Sequence, residues 1–392
     1  MSTRINPSMI YELKAFGAVE IEKCFNCGNC TAICPLTSNE YPFPRNMIRL
    51  TQVGMKERMQ NSLDPWLCYY CGDCSETCPK QAEPAETMMA VRRWLTAQYD
   101  WTGLAHKFYT SKAWEFGSII LLGALVFVLI AVLHGPITTD HVALNTFAPL
   151  HIVHAADWIM AGLLVFFISS NVLRMYQMTM LRGHNPKIPI SIYITEAWNL
   201  VFHAVTQRRW ATCAADEKDE KIKKSKQTSW IIHMLLASGY GLMLILIVFF
   251  LSWFQTDEIY PLYHPQRWLG YYATIVLLLG AGRALWGRIQ QEVQMHRFSH
   301  PSDWIFPVLL LAVTLTGILQ HIFRYADLPL LTYYTFAIHL AFTAPMLILE
   351  VPFGKWAHLY YRPLAIYFQV VKEKASQYQE KHAAKPIASA AD

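Results

Sequence analysis

Residues 24–35 read CFNCGNCTAICP, and residues 68–79 read CYYCGDCSETCP. The two stretches are one motif written twice. Cys24, Cys27, Cys30 and Cys34 precede Pro35; Cys68, Cys71, Cys74 and Cys78 precede Pro79. Thiolates at this spacing suit a cubane iron–sulfur cluster, and where two such runs share a domain the fourth cysteine of each binds the other cluster. The expected sets are Cys24, Cys27 and Cys30 with Cys78, and Cys68, Cys71 and Cys74 with Cys34. Zinc sites are closed by paired CxxC units rather than by cysteine triplets. Thiolates that stay reduced belong to a reducing compartment, so this domain is expected to face the cytoplasm.

Around the motifs the pattern is helical. Met47, Ile48, Leu50, Val53, Met55 and Met59 recur at helical spacing between the two runs, and Met88, Met89, Val91 and Leu95 do so after them. Strand-like alternation is missing. A helical ferredoxin domain over residues 1–110 is therefore expected. The whole chain has 392 residues, 54% of them hydrophobic and only 16% charged, far from a soluble enzyme. The first thirty residues carry Arg4, Glu12, Lys14, Glu20, Glu22 and Lys23 and lack the apolar stretch of a signal peptide. A net charge of +5 makes no case for nucleic acid.

Six apolar stretches follow, at about 117–134, 150–173, 230–254, 268–286, 304–324 and 332–351, each near the length that crosses a bilayer. The fold class is thus all-α, with a membrane domain over 111–360 and a cytoplasmic tail over 361–392, its last fifteen residues disordered. Lys and Arg set the orientation. Segment 174–229 carries ten of them, while 135–149, 256–266 and 325–331 carry none. Both termini are then cytoplasmic, the side the cysteines require, in a bacterial inner membrane. Ile188 to Gln207 is helical in pattern with charged flanks and reads as an interfacial helix.

Ionisable residues in spans are costly and functional by default. His339 lies near the outer end of the sixth stretch and His358 just past its inner end. Nineteen helical residues cover roughly 28 Å, about one hydrocarbon thickness. One helix would then present a ligand to each leaflet, as two stacked b haems require. Partners are expected at matching depth: His233 with His358 for the inner haem, and His154 with His339 for the outer one. His151, His134, His141, His264 and His321 lie near the same outer face and stay open as alternatives. Asp157 would orient His154 or carry protons. Glu350 reads as a partner of Lys355 or as part of a proton path. His203 reads as structural or as a contact for quinone or a partner protein, and Cys213 as a free thiol. Trp253, Trp268, Trp286, Trp304 and Trp356 fall near span ends, as an interfacial belt would.

These residues carry a resemblance. The doubled cysteine run is similar to the small iron–sulfur subunit of heterodisulfide reductases. His339-Leu340-Ala341, then Val351-Pro352-Phe353-Gly354-Lys355-Trp356-Ala357-His358, with Trp230-x2-His233, resembles the cytochrome b subunit of respiratory nitrate reductase. That family has a second histidine ten residues after the position of His233; this chain has Met243 there, which stays open beside His154. The fusion resembles the C-subunit family of quinone-interacting membrane-bound oxidoreductases of sulfur-metabolising bacteria. The resemblance implies two b haems, menaquinone as substrate, flavin and iron–sulfur partners like the A-subunit of heterodisulfide reductase, and adenylylsulfate reductase as the final acceptor. Two alternatives stand beside it. One is a haem-free anchor whose clusters meet quinone directly. The other is the equivalent subunit for a heterodisulfide, fumarate or a tricarboxylate.

Overall fold

The computed structural model describes residues 5–38, 42–182, 188–215, 220–291 and 294–383. Among them every regular element is a helix. The chain falls into two compact units that do not follow its order. One comprises Met1–His106, Ser170–Lys223 and Ala357–Asp392; the other comprises Lys107–Ser169 and Lys224–Trp356.

In the first unit, helix Pro84–Tyr99 is the core. Proline opens it, where a missing N–H costs nothing, and fifteen of its sixteen residues are buried. The sequence shows one apolar side, yet the structure buries Glu86, Arg92 and Arg93 as well. Polar partners make this tenable: Glu86 accepts from the Tyr70 hydroxyl, Arg93 donates to the Phe16 carbonyl at 3.0 Å and Arg92 to the Pro65 carbonyl at 2.6 Å. Buried charge without such partners would be prohibitive.

The second difference lies at the C-terminal end. The expected tail is a helix, His358–Ala383. Its buried Tyr361, Ala365, Phe368, Val371 and Ala375 recur every three or four residues, a one-faced stripe. Tyr361 is fully buried, with its ring 4.8 Å from that of Trp66 and 5.2 Å from that of Tyr99. Residues 384–392 lie outside the described residues.

The expected interfacial helix is two shorter ones, Ile190–Thr195 and Ala197–Thr206. Ile190, Ile194, Trp198, Val201 and Val205 form an exposed apolar stripe along them. Their other side meets the last helix, where Tyr367 donates to the Tyr193 carbonyl at 2.8 Å.

Among the described residues, six helices are long and apolar enough to cross a membrane: Lys112–Leu133, Leu150–Leu181, Lys223–Phe249, Pro265–Gln290, Pro301–Tyr325 and Pro329–Phe353. Most outrun the stretches read from hydropathy, because helices continue into polar flanks. The third stops early, at Phe249, and a separate turn Leu251–Phe254 follows. Gln266 caps that turn by donating to the Trp253 and Phe254 carbonyls. Glycine permits close helix approach. A Cβ on Gly123 of the first span would lie 2.7 Å from the Ala341 carbonyl oxygen of the sixth. Small residues play this part in membrane bundles.

The sixth span does not run on to His358. After Pro345 it widens into a π-turn, Met346–Glu350, and ends at Phe353. Gly354 is extended, and a Cβ there would collide with the buried Glu350 carboxylate. His339 and His358 therefore sit on different helices, in different units.

Candidate iron–sulfur site and membrane histidines

Each cysteine run folds by the same local recipe. The first cysteine follows a short helical turn with extended backbone: Cys24 after Ile21–Lys23, Cys68 after Asp64–Leu67. Asn26 and Tyr70 then take positive φ, and Gly28 and Gly72 follow at φ 91° and 92°. Glycine suits that left-handed turn because it lacks the Cβ that would be strained there. A short helix starts at once, Asn29–Ile33 or Asp73–Glu76, with Cys30 and Cys74 on its first turn.

The two copies close on each other. Asn29 donates to the Thr77 carbonyl at 2.5 Å. One pocket is lined by Cys24, Cys27, Cys30 and Cys78; a second by Cys34, Cys68, Cys71 and Cys74. All eight are thiols rather than disulfides. Each cavity thus receives three cysteines from one run and the fourth from the other. Four sulfurs around a void suit a cubane. Among the described residues, no three His, Cys, Asp or Glu side chains converge tightly enough for a single ion. Backbone N–H groups approach two of the sulfurs, Tyr70 to Cys68 at 3.3 Å and Ala82 to Cys78 at 3.4 Å. Such bonds tune cluster potential.

Basic groups flank both cavities in different ways. Exposed Arg45 and Lys80 line the first. Beside the second, buried Arg92 and half-buried Arg362 both donate to the Cys68 carbonyl, Arg362 at 2.9 Å. Arg362 also lies 4.7 Å over the Tyr69 ring. Burial, together with the neighbouring Arg362, pulls the Arg92 pKa down to about 9, so it stays charged at neutral pH. The Arg92 and Arg362 contacts are what sequence reading missed; no motif marks an arginine aimed at a carbonyl 24 or 294 residues away.

The histidines fall into two groups. Several of the outer alternatives have local roles. His264 caps the fourth span and stacks on Tyr260 at 4.1 Å. His321 meets the Tyr271 hydroxyl at 3.1 Å, His134 the Gly135 carbonyl at 2.6 Å, and His141 pairs with Asp140. His339 is different. Its Nδ1 is held at 3.0 Å by Thr316 Oγ1 of the fifth span. A hydroxyl partner at one ring nitrogen is the kind of contact that orients a ligating histidine. His154 is exposed, and its Nε2 accepts from Trp158, one turn on, at 3.1 Å; Asp157 does not orient it. To ligate through Nε2, His154 must release Trp158. His233 is half-buried in the third span and His358 half-buried at the start of the last helix; they belong to different units.

Glu350 is fully buried, and the Lys355 ammonium pairs with Asp303 instead. Trp356 is buried against Tyr240 and Phe306, at 4.9 and 4.6 Å, rather than set in a surface belt. His203 lies on Ala197–Thr206, where burial and then Arg209 and Arg208 lower its pKa, favouring the neutral ring. The Cys213 side chain lies outside the described residues.

Residues 20–82 match the 4Fe-4S dicluster domain family. A heterodisulfide reductase C-subunit-like protein of Archaeoglobus profundus is 30% identical over 111 residues, 28% of this chain and 58% of that relative. The chain thus spans a little over half the length of the curated relative it matches. No solved structure matches the chain. The N-terminal part is a helical dicluster domain for electron transfer, joined to a multi-pass membrane region.

Proposed function

We propose that this chain is the membrane electron-transfer subunit of a quinone-dependent oxidoreductase complex. Electrons would move between menaquinol and cytoplasmic flavin and iron–sulfur subunits through b haems and the two clusters. The observation that carries the reading is the pair of four-cysteine cavities in a chain that also has six membrane-length helices. The crossed ligand sets are Cys24, Cys27, Cys30 and Cys78, and Cys34, Cys68, Cys71 and Cys74.

A b haem, when bound, supplies one-electron exchange within the bilayer. The chain's own part is to hold it. His339 is the best-oriented ligand, with Thr316 fixing its ring; His233 and His358 are proposed with it, and His154 completes the set on release of Trp158. The exposed stripe Ile190, Ile194, Trp198, Val201 and Val205 supports an interfacial helix on the cytoplasmic face. Partners resembling the A-subunit of heterodisulfide reductase fit a chain whose relative is named for that enzyme. A link to adenylylsulfate reductase and sulfur metabolism completes the proposal.

The test is haem and iron per chain in the purified complex, with a reduced-minus-oxidised spectrum. The reading expects two full [4Fe-4S] clusters' worth of iron and a b-type α band. Replacing His339 or His358 by Ala should remove one haem and leave cluster iron unchanged. An absent α band defeats the haem reading and favours the haem-free anchor.

A further inference from the structure

The two clusters are not equivalent, and the last helix makes the difference. Helix His358–Ala383 packs on Asp64–Leu67, the turn that leads into Cys68. One turn after His358, Arg362 reaches the Cys68 carbonyl at 2.9 Å, and Arg92 reaches the same oxygen from the core helix. A single carbonyl accepting from two guanidiniums is an unusual concentration of positive charge. Helical folding does not require it: Cys68 follows the end of its helical turn with extended backbone. The Tyr69 ring, which lines the second cavity, supports the Arg362 guanidinium from below.

We propose that Arg362, with Arg92, is a positioning residue for the second cluster, the one held by Cys68, Cys71, Cys74 and Cys34, and raises its reduction potential selectively. The inference rests on the two-cluster reading and not on the haems. Reduction of a [4Fe-4S] centre from 2+ to 1+ adds one electron and no proton. A nearby cation stabilises the added charge, and screening is weaker at buried Arg92 and half-buried Arg362 than at an exposed group. Around the first cavity the cations are exposed Arg45 and Lys80, whose charge solvent and salt damp. The helix that begins at the proposed haem ligand His358 is thereby tied to the second cluster.

The test is an EPR-monitored redox titration of the full chain, the two signals assigned with C27S and C71S. In R362Q the reduced-to-oxidised ratio of the second cluster at fixed potential should fall about tenfold, which is ~59 mV for one electron. The first cluster should move less than about twofold. R362K, which keeps the charge, should shift the second cluster less than about threefold. Iron per chain checks folding. If R362Q loses iron, R362M, which keeps an apolar stem over Tyr69, replaces it. No shift, an equal shift in both clusters, a shift in the first alone, or R362K behaving like R362Q each overturns the proposal. Chains that bind no iron in the parent form would instead defeat the two-cluster reading itself.

Discussion

Replacing Tyr361 by Ala is the sharpest test that the last helix belongs to the core of the iron–sulfur unit. Tyr361 is fully buried between Trp66 and Tyr99. Truncating a buried aromatic to Ala costs ~3–5 kcal/mol, because the cavity is only partly refilled. The two ring pairs supply ~0.5–1.5 kcal/mol each of that beyond simple area. Alanine is the best helix former, so propensity offsets a little of the loss and does not add to it. At ~1.4 kcal/mol per factor of ten, a loss of ~3 kcal/mol raises the population of the opened helix on the order of a hundredfold. The assay is hydrogen exchange in detergent, read over residues 361–379 and 64–68, with chelator-driven bleaching of cluster absorbance alongside. Both segments should exchange about a hundredfold faster, and bleaching should quicken. Exposed Gln377→Ala serves as the control and should stay within about threefold. If Tyr361→Ala also stays within about threefold, the helix is not part of that core and the packing argument fails.

Gly354→Ala places a methyl against the buried Glu350 carboxylate, and overpacking of this kind costs ~1–3 kcal/mol, read as a lower melting temperature in detergent. Gly123→Leu forces the first span away from the Ala341 carbonyl; a loss of similar size is expected, and an unchanged melt would contradict the close approach. Asp303→Ala removes the ion pair with Lys355 and an acidic residue from the first turn of the fifth span. A cost of ~1–3 kcal/mol is expected, with Asp303→Glu recovering part of it. Burial raises the Asp64 carboxyl pKa above 3.8. The folded state therefore holds that proton more tightly than the unfolded chain, and this group's contribution falls as pH rises from 3.8 through the raised value. Asp64→Asn should match the parent below that window and be at least as stable above it, which melts from about pH 3.5 to about pH 7.5 would read.

The cysteine runs and the apolar stretches were legible because each depends on residues close in sequence. Each run sets three cysteines by spacing alone, and glycine at 28 and 72 marks the turn between them. The six spans were legible as apolar cores, though their ends were not, since the helix from Lys223 continues through polar residues that hydropathy counts against it. Other features depended on distant partners. Arg92 and Arg93 look like a solvated face until the carbonyls of Pro65, Cys68 and Phe16 are in place. The stripe Tyr361, Ala365, Phe368, Val371 and Ala375 was present in the sequence, but Pro363 and the neighbouring Lys and Glu residues disguised it as a tail. The break at Gly354 was hidden because the stretch from His339 to His358 reads as one helix, whereas the structure ends it at Phe353 and extends Gly354.

The iron–sulfur unit is assembled from the beginning, the middle and the end of the chain. That order matters during biosynthesis. Arg362 leaves the ribosome 284 residues after Cys78, a delay of roughly 15–60 s at ordinary rates of translation. All six membrane helices are made in the interval. The cysteines are thus complete early, but the side chains that enclose and charge the second site arrive last. Closure of the iron–sulfur unit then becomes a checkpoint: a chain stalled partway through the membrane segments cannot finish it, and iron delivered before that moment meets an open, chelatable site.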